Sequence, residues 1–275
     1  MKRLLFAITV IFFYMVSLHV LVLADELKVV AGTSLEEDIV TDLTSNRAAI
    51  VTLIAGSSCP GHNDLKASDI IFVSSADVAL LHTFQIDLPP VKNIFASANN
   101  KNLRIETISA EGNWMAPPVQ IQATIHIGQI LSEIKPEWAK DIEAKTNIRL
   151  KRIEDAEARA KKILNPLSNL EVIAAKMQAD FVSWAGLTVV GEYERAENMS
   201  PKTIIRLLES ARGKKIIGVI DNLQSGADAG IPIANELKVP HLVLSNFPGS
   251  LQGINNYFDL LNYNIKNLSY LITGS

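Results

Sequence analysis

The sequence predicts an α/β protein of two lobes, each a central, mainly parallel sheet flanked by helices, joined by one long helix. Three observations carry that prediction. Short apolar runs alternate with helical patterns in the first half. A stretch from Pro136 to Leu164 has no internal Gly or Pro and keeps apolar residues at helical spacing. Beyond it, the strand-then-helix order resumes.

In the first half, LKVVAGTS is a short apolar strand ending in a turn. LEEDIVTDLT then places Leu35, Ile39 and Leu43 four residues apart, the spacing of one helix face. Ser34, with Glu37 three residues on, predicts a capping box at its start. AAIVTLIAG is a second, β-branched strand; ASDIIFVSS is a third apolar run and NLRIETIS a fourth strand. VALLH reads as the end of an apolar helix capped by His82.

The central stretch is a helix of about 29 residues, hence ~43 Å long at 1.5 Å per residue. Pro136 suits its first turn and Asn165-Pro166 its end. Its mixed charges predict a solvated face, and the a/d repeat of a coiled coil is not sustained. In the second half, EVIAAKMQADFVSWAGL is strand then helix and LTVVGEY a strand. SPKTIIRLLESARGKK is a helix capped by Ser200 with Pro201 in its first turn. KIIGVIDNLQSG is a strand, ADAGIPIANELKV a short helix, HLVLSN a strand and NNYFDLLNYNIKNLSYLI a closing helix. The expected organisation is therefore an export signal over 1–24, an N-terminal lobe over 25–134, the linking helix over 135–165 and a C-terminal lobe over 166–275.

Composition narrows the function. The chain has 275 residues, 48% apolar, with a formal charge of −3, enough for a substantial core. Basic residues cluster only as pairs such as Lys161-Lys162, so no nucleic-acid footprint is expected. Lys2 and Arg3 precede a long apolar run, and Val22 and Ala24 sit at −3 and −1 of a signal cleavage site. The run is also long enough to span a bilayer, so a retained anchor is the alternative. Either way the mature chain is expected in the periplasm or another extracytoplasmic space.

Export gives weight to Cys59, the one cysteine of the chain, in SSCPGHNDLKASD. It cannot form an internal disulfide, so it is free, paired with another molecule, or a ligand. Burial as a small hydrophobe is the plain structural alternative. His62 stands three positions later, and thiolate and imidazole both bind zinc and copper. A nucleophile-and-base pair is disfavoured, because such pairs come together from distant sequence. The motifs G-x-S-x-G, H-E-x-x-H, G-x-x-x-x-G-K-[ST] and G-x-G-x-x-G are missing, so an enzyme is not expected.

Several segments together resemble the zinc- and manganese-type solute-binding proteins of ABC transporters. LKVVAGTSLEEDIV is similar to their opening strand and helix, and GHNDLKASDI to the loop that carries their first metal-binding histidine. GNWMAPP resembles H-x-W-x-D-P, and MQADFVSWAGL resembles H-x-x-F-x-Y with its following Gly-Leu. IIGVIDNLQS and HLVLSNFPGS resemble the two C-lobe strands whose ends face the cleft. The resemblance implies a cargo cleft between the lobes, small lobe motions and delivery to a membrane permease by a monomer.

The expected ligands are mostly replaced. His62 matches the first histidine. The second falls at Gly112 beside Asn113, the third at Gln178, and the carboxylate after the last strand at Ser245-Asn246. Asp221 matches an acidic position on the preceding strand. The expected metal site is therefore Cys59 and His62 with Asp221 and Met115, for a transition-metal ion, zinc or copper more than manganese. Asn113, Trp114, Gln178, Asp180, Ser245 and Asn246 are expected to line the cleft. The alternatives are a metal chelate or small organic solute, held with help from Trp184 and Asn222, and a non-transport metal chaperone or accessory role. His82, His126 and His241 are expected to be structural.

Overall fold

The computed structural model describes residues 26–57 and 66–273. The expected signal lies outside the described residues, as do Cys59 and His62.

The N-terminal sheet contains β1 (Leu27–Thr33), β2 (Ala48–Ile54), β3 (Val78–His82) and β4 (Arg104–Ile108), all parallel, in the order β2-β1-β3-β4. The C-terminal sheet contains β5 (Glu171–Ala175), β6 (Thr188–Tyr193), β7 (Ile216–Asn222) and β8 (His241–Leu244), also parallel, in the order β6-β5-β7-β8. Both lobes thus repeat one topology with no repeat in sequence. In each sheet the chain winds outward one way from the first strand and then the other. That leaves a switch point at the carboxyl ends of β1 and β3, and of β5 and β7, where open α/β sheets bind ligands.

Helix α1 (Ser34–Thr44) buries Leu35, Ile39, Val40 and Leu43. Its capping box is one residue earlier than the sequence suggests. Thr33 is the N-cap, its hydroxyl accepting from Leu35 N, and Glu36 reaches back to Thr33 N at 3.0 Å. Ser34 instead donates its hydroxyl to the Pro248 carbonyl of the other lobe at 2.8 Å. The third apolar run is a helix, α2 (Ala67–Val73), with Ile71 72% exposed. VALLH, expected to end a helix, is β3, with all five residues buried. Burial explains the exchange: a strand covered on both faces shows no alternation and looks like a helix fragment.

Helix α3 (Pro89–Ala98) covers the outer face of this sheet. Helix α4 (Pro117–Ile134) follows β4. A 3₁₀ turn at Pro136–Trp138 leads into the linking helix α5 (Ala139–Leu164), 26 residues and about 39 Å long. The second lobe adds α6 (Lys176–Trp184), α7 (Pro201–Ser210), α8 (Ile231–Leu237) and the closing α9 (Tyr257–Thr273).

Side-chain alternation along the strands divides the core. Val29 and Leu80 belong to a central cluster, while Val30 and Leu81 face the outer layer. The central cluster runs without a break through both lobes, from Leu27 through Ile153 on α5 to Leu268 on α9. Such a shared core favours small relative motions of the lobes. Arg149 on α5 reinforces it. The side chain is 1% exposed and donates to Asp38 and Asp42 of α1, each at 2.6 Å.

Candidate ligand cleft

A cleft of about 670 Å³ opens between the lobes. Its wall is built from residues just past the carboxyl ends of strands in both sheets. His82 ends β3, Asn222 ends β7, Met177 follows β5 and Asn246 follows β8. Both switch points therefore point into one space.

The floor is a set of carboxamides. Asn113 donates its Nδ2 across the lobe boundary to Asn246 Oδ1 at 3.0 Å and to the Met177 carbonyl at 2.8 Å. Gln178 donates its Nε2 to Asn222 Oδ1 at 2.9 Å and to Asn246 Oδ1 at 3.0 Å. Asn246 Nδ2 donates to the Met177 carbonyl at 3.1 Å. Gln224 donates to the Gly56 carbonyl at 2.9 Å, again across the lobes, and to Ser245 Oγ at 2.8 Å. Gln178 is fully buried, and its Oε1 has no hydrogen-bond partner among the described residues.

The N-terminal wall is aromatic. The ring centroids of His82 and Trp114 are 3.8 Å apart, and those of His82 and Phe84 5.3 Å. Trp114 is held by its indole N–H on the Ala110 carbonyl at 3.1 Å. Beneath His82 lies a buried carboxylate. Glu36 Oε1 is 3.4 Å from His82 Nε2, while Glu36 Oε2 accepts the Thr33 hydroxyl at 2.5 Å. Sequence reasoning missed His82 as a cleft residue because β3 was not recognised. The polar residue closing that apolar run was the available signal.

The expected site residues are distributed unevenly. Asn113, Trp114, Asp180 and Asn246 line the cleft, and Gln178 joins them through its hydrogen bonds. Ser245 sits behind Gln224, fully buried, with its backbone N–H on Asn264 Oδ1 at 3.0 Å. Met115 has no exposed surface and belongs to the central core, where its carbonyl accepts the Tyr257 hydroxyl at 3.3 Å. Asp221 is fully buried. It accepts from the Tyr193 hydroxyl at 2.5 Å and from Gly230 N at 2.9 Å, and pairs with His241 Nε2 at 2.6 Å. None of these three partners is among the described residues of the cleft wall. Burial, with the Asp221 carboxylate, pushes the Tyr193 phenol far above its ordinary range, so it remains a donor. Trp184 is not in the cleft wall: it stacks on Phe181 at 5.3 Å and donates to Glu157 of α5 at 3.3 Å. His126 accepts from Ser109 N at 3.1 Å, a structural role.

Among the described residues, no group of three or more His, Cys, Asp or Glu side chains is placed to hold a metal ion. A bare transition-metal ion prefers nitrogen and sulfur donors, and carboxamides are poor substitutes.

Residues 29–270 match the family of ZnuA, the periplasmic component A of zinc-uptake complexes. The chain belongs to the ZnuA family. Solved structures agree in fold. A mutant of the manganese-bound periplasmic metal-binding protein from Candidatus Liberibacter asiaticus superposes with a TM-score of 0.76 at 16% identity, covering 90% of this chain and all of that one. The cadmium-bound form of that protein gives 0.76 at 15% identity, with 90% and 100% coverage. A crystal structure of ZnuA gives 0.74 at 17% identity, covering 90% of this chain and 99% of its own. No curated protein matches the sequence. The ZnuA-family scaffold is thus retained around a cleft whose described wall combines side-chain amides, charged residues of both signs and aromatic rings.

Proposed function

We propose that this chain is the periplasmic receptor of an ABC importer, capturing a metal-containing cargo between its lobes and delivering it as a monomer to a membrane permease. The cargo metal is zinc or copper more than manganese, with Cys59 and His62 as its sulfur and nitrogen donors. The observation that carries the reading is the cleft itself, formed where the carboxyl ends of both sheets meet in a ZnuA-family fold. The start of the Cys59 segment supports it. Gly56 holds the cleft residue Gln224 on its carbonyl, and Cys59 is three residues later, a reach of at most about 10 Å. Asp221 and Met115 carry less of the load, one committed to Tyr193 and His241, the other to the core. No catalytic role is proposed.

The test is metal analysis of the purified mature protein, wild type against Cys59→Ser and His62→Ala. The reading expects bound metal in the wild type and a loss of at least half of it in each variant. A wild type that neither carries nor takes up zinc or copper would sink it.

A further inference from the structure

We propose that the cleft recognises a small planar organic molecule, free or as the chelator of the metal ion, and grips it between Phe84 and Met177 above the carboxamide floor. This names the cargo class of the receptor reading and rests on its receptor role in the cleft; a free organic cargo would replace the metal-containing one.

Size is the first argument. A cleft of about 670 Å³ falls in the range that encloses organic ligands, while a single water occupies only ~30 Å³ of liquid and an ion without a shell needs no more. Shape and polarity follow. Phe84 is 49% exposed and Met177 41% exposed, and they line the cleft from opposite lobes. Two large apolar side chains left in water at one site await an apolar partner. Phe84 continues the ring surface of His82 and Trp114, and a thioether packs well on a ring, so the partner that suits both is flat.

The floor adds directional chemistry. Carboxamides present donors and acceptors without charge, matching an amide, a hydroxyl or a ring nitrogen rather than a dication. Just behind them, Gln178 Oε1 is one of the buried side-chain atoms that have no partner among the described residues. The charged residues of the wall, Glu111, Asp180 and Glu192 against Lys176 and Arg195, have both signs, so they do not focus a field on a bare cation.

The experiment uses the mature chain, with Cys59 and His62 intact, in titration calorimetry. The probes are zinc sulfate alone, picolinamide (planar and chelating), its non-chelating isomer isonicotinamide, and each amide premixed with zinc. The expected result is binding of at least one amide-containing probe tenfold or more tighter than zinc alone. Phe84→Ala and Met177→Ala should each weaken it about tenfold; both side chains are exposed, and unchanged unfolding midpoints confirm that the variants fold. Equal binding of both isomers without zinc marks a free organic cargo, and binding of zinc–picolinamide alone marks a chelate. Zinc bound as tightly as any amide, unaffected by either substitution, overturns this inference and leaves the metal receptor standing. No binding of any probe overturns this inference, and the metal-receptor reading falls with it only if copper is not bound either.

Discussion

Asn113 of the N-terminal lobe and Asn246 of the C-terminal lobe are joined directly, amide to amide, at 3.0 Å. The same Asn246 oxygen accepts from Gln178 at 3.0 Å. Where relatives are expected to bring histidine and carboxylate to an ion, this chain pairs neutral groups with one another. Asn113 and Asn246 thus join the lobes and line the cleft at once.

Rebuilding the ligand set should therefore change the cargo. Gln178→His combined with Asn246→Asp adds an imidazole and a carboxylate at adjacent positions, good donors for zinc. Zinc affinity should rise at least tenfold, about 1.4 kcal/mol, over wild type. Calorimetry at fixed pH reads it directly, and an unchanged affinity would show that these positions do not converge on the cleft as the hydrogen bonds place them.

The second histidine position cannot be restored as simply. Gly112 has φ of +101°, a backbone conformation that L side chains rarely adopt. A Cβ there would meet only ordinary contacts, Val119 at 3.4 Å and Asp180 at 3.8 Å, so the obstacle is the backbone itself. Gly112→His should lower stability by ~1–2 kcal/mol. Urea midpoints check this, and a neutral result would mean that the turn relaxes freely.

Much of the fold was legible because its signals are local. Ser200 with Pro201 marked a helix start, and the uninterrupted run before Asn165-Pro166 marked α5. The errors fell where local signals are ambiguous. VALLH is buried on both faces and so carries no period, and Thr33 competes with Ser34 for the same cap. The site was harder. Asp221 looked available because sequence shows its charge but not Tyr193, Gly230 and His241, which come from three other elements to surround it.

That surround makes a pH prediction. Burial, then Asp221, raises the Tyr193 phenol above its ordinary value, and burial raises Tyr257, with Arg149 opposing. A phenol whose folded pKa lies above the unfolded value of about 10 contributes its full stability below that pH and loses it as pH rises beyond. Stability should fall above about pH 10, and Tyr193→Phe should flatten part of that fall. At neutral pH the same variant should lose ~1–3 kcal/mol, because Asp221 is left short of a donor. Denaturant midpoints across the alkaline range, wild type against variant, measure both. Identical alkaline slopes would count against the account.

The bond between the linking helix and the first lobe should be strong and specific. Arg149 serves Asp38 and Asp42 together, and Asp38 also accepts Tyr257 N at 3.3 Å from the closing helix. Arg149→Met leaves the partly buried Asp38 without its cation, at a cost of ~3–5 kcal/mol. Arg149→Lys should recover little, since one ammonium cannot reproduce a two-pronged contact. A double-mutant cycle with Asp38→Asn should show clear coupling, and simple additivity would rule out a direct interaction.

Gly56 tests how closely the lobes are joined. A Cβ there would lie 1.9 Å from the Pro248 carbonyl oxygen, a backbone atom of the opposite lobe with no flexible side chain to yield. Its own carbonyl receives Gln224 at 2.9 Å, so the position both touches and bonds across the boundary. Gly56→Ala must push the lobes apart locally or strain the backbone, at ~1–3 kcal/mol. The central core shared by both lobes resists wholesale opening, so the change should be confined to the cleft. Hydrogen exchange should then quicken at Gln224 and Asn246 while the amides of β1 and β5 stay protected. Uniform loss of protection across both sheets would mean that the lobes do not share one core in solution.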